Sequence, residues 1–182
     1  MPFGGYMSLV IYKDGVLVGD TRGFRHVAAF DMIRDLKKVY KSKCGRIALG
    51  ITGQALTNED LQTAFEFFLN ALTDHHYRQF DLDYNGNFTD EECTRLGMEQ
   101  RHFLVMTKSH IFTVENGKLT DISQEPWYCS GNGVILADVF LTAGLSPQKT
   151  IEAVAKLTPE ISSRFNIIQQ HSLKPLITEV SA

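Results

Sequence analysis

The chain has 182 residues, 43% of them hydrophobic and 21% charged, which is enough for one well-formed core and implies a single domain over residues 1–182. Lys and Arg number 18 against 21 Asp and Glu, a formal net charge of −3 that excludes the basic face of a general nucleic-acid binder. With no apolar run of 18 residues, no membrane span is expected, and the first fifteen residues lack the basic flank and apolar core of a secretory signal. Cys44, Cys93 and Cys129 form an odd, scattered set without a CxxC pair; they read as reduced thiols of a cytoplasmic protein.

Residues 8–12 (SLVIY) are β-rich, Lys13, Asp14 and Gly15 supply turn chemistry, and residues 16–18 resume as a strand, so a hairpin is predicted at the start. After Gly19 and Asp20 a polar, glycine-containing stretch runs to His26. Residues 36–40 and 46–51 then suggest two further strands, making the first 55 residues an antiparallel meander. The period changes at Thr57, which with Asp60 resembles a capping box. Leu61, Ala64, Phe65, Phe68, Leu69 and Leu72 follow on one stripe of a helix from residue 58 to about 74. Phe67 lies off that stripe, where it could meet a neighbouring subunit.

Beyond a polar segment and a shorter helix at about residues 90–100, strands are predicted at 102–107 and 110–114, with another at 127–130. Residues 134–143 are apolar almost all round, which suits a helix sandwiched between layers. Ser146 and Pro147 start the last helix as N-cap and N1; Ile151, Val154, Ala155 and Leu157 form its stripe, and Pro159 stops it. Residues 161–169 and 176–180 are weaker strand candidates. Strands in blocks and helices in pairs, ββββ-αα-βββ-αα-β, predict two antiparallel sheets covered by helix pairs and not a parallel βαβα sheet.

Three strings add a resemblance. Residues 9–15 (LVIYKDG) lead to Gly19-Asp20; residues 36–40 (LKKVY) precede 47–53 (IALGITG); and Ser130-Gly131-Asn132-Gly133 opens an apolar helix. In this order the chain resembles the proteasome subunits and their bacterial two-ring relatives, members of the N-terminal-nucleophile (Ntn) hydrolase superfamily. The resemblance implies an α+β fold, a four-layer αββα sandwich, and a homo-oligomeric ring or stacked rings, with an unidentified protein partner left open and neither nucleic acid nor membrane involved.

The family's chemistry needs an N-terminal hydroxyl residue whose free amine acts as its base, supported by a Lys and an Asp. Aligned on the Asp14-Gly15 turn, Tyr6 falls on the nucleophile position, where a phenol cannot replace the Thr hydroxyl. Asp20 matches the supporting acid and Ser130 the serine of the glycine string, while Glu160 and Ser163 fall near the late acid and hydroxyl. Counting back from Tyr40 puts the supporting Lys among residues 28–31, where none exists. A proteolytically inactive, structural or interaction subunit is therefore expected. The alternative is an active peptidase using Ser8, which shares a strand face with Tyr6 and would become N-terminal on cleavage after Met7.

Residues 81–92 match the EF-hand calcium loop D-x-[DN]-x-[DN]-G-x5-E at every defined position. Asp81, Asp83, Asn85, the carbonyl of Asn87, Thr89 and Glu92 would be the oxygen ligands, with Gly86 at the sharp turn. A calcium-responsive binding module is thus a third expectation. The competing reading is an acidic Asx-turn loop in which Thr89 and Glu92 form a second capping box. Cys129, beside Ser130, has no identifiable base and reads as a buried thiol.

Overall fold

The computed structural model describes residues 8–27, 30–73, 86–115 and 117–176. Strands β1 (Leu9–Lys13) and β2 (Val16–Asp20) form the expected hairpin. Asp14 and Gly15 both adopt positive φ, 52° and 73°, the geometry of a two-residue turn whose twist matches the strands it joins. Then come β3 (Arg22–Val27), β4 (Phe30–Asp35), β5 (Val39–Lys41) and β6 (Ala48–Gly53). Helix α1 (Asn58–Thr73), the short β7 (Gly86–Asn87) and α2 (Asp90–Leu96) follow. The second half contains β8 (Arg101–Met106), β9 (Ile111–Glu115), β10 (Lys118–Asp121), β11 (Trp127–Gly131), α3 (Val134–Thr142), α4 (Pro147–Leu157) and β12 (Phe165–Gln169).

One antiparallel sheet has the order β11-β1-β2-β12 and the other β5-β6-β8-β9-β10-β7, while β3 and β4 pair separately as a ribbon. Four layers follow from which faces are apolar. Ile47, Leu49, Ile51, Phe103, Val105 and Phe112 pack under α1 residues Ala64, Phe65, Phe68 and Leu72. Leu9, Ile11 and Val18 pack under Ala137 and Leu141 of α3 and Ile151 and Val154 of α4. Between the sheets lie Val10, Tyr12, Leu17, Ala48, Leu104, Met106 and Ile111. Both faces of β1 and β6 are therefore covered, which is why their sequences read as continuous apolar runs rather than alternating ones. Gly50 lets the sheets approach: a Cβ there would lie 2.7 Å from Cγ1 of Val10.

The helix starts follow the sequence. Thr57 Oγ1 accepts from Asp60 N–H at 3.1 Å, Asp60 Oδ2 accepts in turn from Thr57 N–H at 3.3 Å, and Ser146 Oγ caps α4 by accepting from Lys149 N–H.

Several expectations are corrected. The polar stretch after Asp20 forms the β3–β4 ribbon, pairing Arg22 with Asp35 through Val27 with Phe30. Residues 36–38 are not strand, and β10 was not anticipated because its four residues alternate a single buried Leu119 with polar neighbours. Helix α3 is not sandwiched: Ile135 and Val139 are 81% and 60% exposed. Leu157, placed on the buried stripe of α4, is 63% exposed; it is the last residue of the helix. Phe67 is buried within the chain, edge-on to Phe68 and Phe88 with Arg95 above its ring, rather than free for a neighbouring subunit. The last strand begins at Phe165, and residues 177–180 lie outside the described set.

Candidate functional site

Strand β2 ends on Asp20, which is fully buried and surrounded by donors. Its Oδ1 accepts the N–H of Leu9 at 2.8 Å and the ammonium of Lys38; its Oδ2 accepts the N–H groups of Arg22 at 2.9 Å and Ser162 at 3.2 Å. A buried carboxylate is tolerable only with such compensation. Lys38 is 7% exposed and its Nζ also donates to the carbonyl of Arg22 at 2.6 Å. Burial pushes its ammonium below the ordinary lysine range, and the Asp20 charge and hydrogen bond oppose that shift.

Lys38 is the lysine that pairs with Asp20, and it lies outside residues 28–31, where counting back from Tyr40 pointed. Because residues 22–35 fold back on themselves as a ribbon, chain distance is a poor guide here, and the polypeptide returns to Asp20 only at residue 38. The lysine was present in the very string, residues 36–40, that carried the resemblance. Lys37 beside it is exposed, so only one of the two lysines faces inward.

Ser8 immediately precedes β1 and is 2% exposed. Its following amide, Leu9 N–H, is the group that binds Asp20, and its carbonyl accepts the N–H of Asn132 at 2.9 Å. Gly131 makes this possible: at φ 109°, a Cβ there would lie 1.9 Å from that carbonyl oxygen. Ser8 and Lys38 line a cavity of about 50 Å³ whose walls include Leu36, Tyr40, Ile51, Ala55 and Leu56.

A second polar cluster bridges the sheets nearby. Ser130 Oγ lies 2.6 Å from Thr52 Oγ1 and 2.6 Å from His102 Nδ1. His102 Nε2 lies 2.7 Å from a Glu115 carboxylate oxygen and 2.9 Å from Thr113 Oγ1. The Tyr128 hydroxyl donates to the same Glu115 oxygen and its ring stacks on His102, with centroids 6.0 Å apart. Burial and the Glu115 hydrogen bond push the Tyr128 phenol up to about 12. His102 and Glu115 carried no motif, and Thr52 lies in the 47–53 string without having been singled out; Thr52 and His102 meet because they pair across β6 and β8.

The remaining expected residues fall as follows. Tyr6 lies outside the described residues. The serine that contacts Asp20 is Ser162, one position before the expected Ser163, which is exposed; Glu160 is half-buried two residues ahead of Ser162. Asp81, Asp83 and Asn85 lie outside the described residues, and Asn87 pairs in β7 with Lys118. Thr89 and Glu92 form the capping box of α2: Thr89 N–H donates to Glu92 at 2.8 Å and Glu92 N–H to Thr89 at 3.2 Å. No group of three metal-ligating side chains is found among the described residues. Cys129 is bonded to Asp138 at 3.3 Å, and burial together with that carboxylate pushes its thiol up to about 12, far from a reactive thiolate. No helix among the described residues is long and apolar enough to cross a membrane.

No protein-family model matches the chain, and no curated protein matches its sequence. Among solved structures, it is similar to eukaryotic HslV from Trypanosoma brucei, with a TM-score of 0.59 and 10% identity over 89% of this chain and 97% of that one. The BPH protein of Thiobacillus denitrificans aligns with a TM-score of 0.49 and 16% identity over 90% of this chain and 98% of that one; its complex with epoxomicin gives the same score. The architecture is the α+β sandwich of the proteasome-like Ntn hydrolases: two antiparallel sheets flanked by helix pairs.

Proposed function

We propose that the chain is a peptidase of the Ntn type, with Ser8 as nucleophile after cleavage of the Met7–Ser8 bond, and that it assembles with copies of itself as the resemblance to ring-forming proteasome subunits implies. The observation that carries this reading is the placement of Ser8 beside the buried Asp20–Lys38 pair: the residue after it is hydrogen-bonded to Asp20, and Ser8 and Lys38 line one cavity. The same observation weighs against the inactive subunit expected from sequence, because one of its two grounds was a missing lysine.

In this reading the free α-amine of Ser8 takes the proton of its own Oγ as that oxygen attacks the carbonyl carbon of a peptide. The ammonium so formed protonates the departing amine, leaving an ester on Ser8. A water molecule, deprotonated by the amine, then attacks the ester; the ammonium returns that proton to Oγ as the acyl–oxygen bond breaks, and the acid is released. The Lys38 ammonium stabilises negative charge developing on Oγ, and Asp20 holds that ammonium in place. The walls formed by Leu36, Tyr40, Ile51, Ala55 and Leu56 favour an apolar substrate side chain.

Fluorogenic peptides with apolar and charged residues before the scissile bond, together with the denatured subunit mass, test the reading. Subunits lacking residues 1–7 that hydrolyse the apolar peptide support it. Full-length subunits in a closed oligomer without hydrolysis overturn it in favour of an inert assembly. Calcium binding at residues 81–92 is a separate proposal resting on the loop pattern. Glu92 would exchange its bond to Thr89 N–H for the ion, and calorimetry on the native chain and on Asp81→Ala decides it.

A further inference from the structure

The six-stranded sheet ends in two edges of opposite charge. One edge is β5, and the chain from residue 36 to residue 58, which carries β5 and β6, contains five Lys and Arg and no Asp or Glu. Lys37 stands exposed at the end of β5 nearest Asp20, and Lys41 and Lys43 are exposed at the far end. The N–H of Lys174 donates to the carbonyl of Gly45 at 2.8 Å, which brings a further exposed lysine to that far end. The other edge is β7 where it pairs with Lys118 and Leu119, and β10 itself beyond them. Asp90 and Glu91 follow β7 at the near end, and Asp121 closes β10 at the far end; all three are exposed. The cations on this side are Lys118 and Arg95, the latter engaged over the Phe67 ring. Among the described residues, neither those lysines nor those three carboxylates form an ion pair within the chain.

The charges match end for end. A second copy set beside the first, with its strands running the same way, places Lys37 near Asp90 and Glu91 and the far-end lysines near Asp121. The edges lie five strand spacings apart, about 24 Å, so one copy cannot neutralise its own pair. Two copies related by a twofold axis through either edge would set like charge against like, which is repulsive.

We propose that the two edges are the two halves of a head-to-tail interface between copies of this chain, the lysine edge of one copy meeting the carboxylate edge of the next. This rests on the self-association part of the reading above and not on its chemistry; it names the surfaces and the polarity of the contact. Exposed ion pairs are individually weak, so the charges select which edge meets which and exclude the like-with-like contact. Each added copy leaves one edge of either sign open, and only closure into a ring uses up both.

Charge reversal and mixing test the proposal by native mass spectrometry of the full chain. Lys37→Glu/Lys41→Glu/Lys43→Glu makes both edges acidic, and Asp90→Lys/Glu91→Lys/Asp121→Lys makes both basic. Each variant alone should self-associate about a hundredfold or more weakly than the native chain. Mixed in equal amounts, they should assemble with the two kinds of subunit alternating, and therefore in an even number. A chain with all six changes exchanges the signs of its edges and should assemble as the native chain does. If a triple variant loses the native circular dichroism spectrum, Lys43→Glu and Glu91→Lys carry the same mixing test. Either variant assembling alone to the native extent overturns the proposal, as does a mixture of folded variants that stays monomeric. A native oligomer that survives both reversals keeps the assembly reading and removes only the edge assignment. A monomeric native chain removes both.

Discussion

The space between the two sheets has two ends made by the same strands and filled by opposite chemistry. Val10, Leu104, Met106 and Ile111 occupy one part with aliphatic side chains, while two residues along, on the same faces, stand Ser8, His102 and Thr113. Nothing in the backbone distinguishes the two parts. The polar end holds a fully buried Asp20, a nearly buried Lys38 and a chain of hydroxyls, each satisfied by a named partner. Aliphatic residues would fill the same volume without these demands, since replacing a buried ion pair by apolar groups is often neutral or stabilising. The contrast shows where the fold has been held to something other than stability.

The largest expected effect concerns the polar end alone. Ser8→Ala should reduce hydrolysis by roughly 10³-fold or more and leave residues 1–7 attached, measured on one sample by peptide turnover and subunit mass. Retained turnover would move the nucleophile elsewhere. Lys38→Met should abolish turnover and also lower stability by about 3–5 kcal/mol, because it strands the Asp20 carboxylate; restoring much of that stability with the double variant Asp20→Asn/Lys38→Met, still without turnover, would separate the pair's chemistry from its packing. Leu104→Ala, at the aliphatic end, should cost about 2–5 kcal/mol in denaturant unfolding while sparing kcat. A fall in kcat as large as that of Lys38→Met would mean that the two ends are not independent.

Gly50→Ala should cost about 1–3 kcal/mol by thrusting a methyl group against Val10, and a neutral result would show that the sheets can separate locally. The smallest effect is one of pH. The unfolded His102 titrates near 6.5 and the folded one below it, so between those values the unfolded chain binds more protons and stability rises with pH. Melting temperatures recorded from pH 7 down to pH 5 should therefore drop further for the native protein than for His102→Gln.

How much of this was legible in the sequence divides along the same line. The aliphatic layers, both capping boxes and the first hairpin were readable because each depends on residues a few positions apart. The site was readable only in parts. Asp20, Ser8 and Ser130 sit in short strings, but recognising Lys38 requires knowing that residues 22–35 turn back on themselves, and a sequence stretch that mixes polar and apolar residues without alternation gives no period to say so. Ser162 was missed by a single position because no strand fixes the register before Phe165. His102, Thr52 and Glu115 belong to three strands, and only the pairing of β6, β8 and β9 brings them together.

The peptide group that follows Ser8 has both of its polar atoms engaged, the N–H by a carboxylate on β2 and the carbonyl by the turn after β11. A chain opened before Ser8 would thus gain a terminus without gaining slack. Ends of polypeptides ordinarily fray, and a reactive group at a fraying end wanders over several ångströms. Here the new end would be pinned from its first peptide bond onward, so that the proposed cleavage would change the charge and chemistry of one nitrogen and almost nothing of its position.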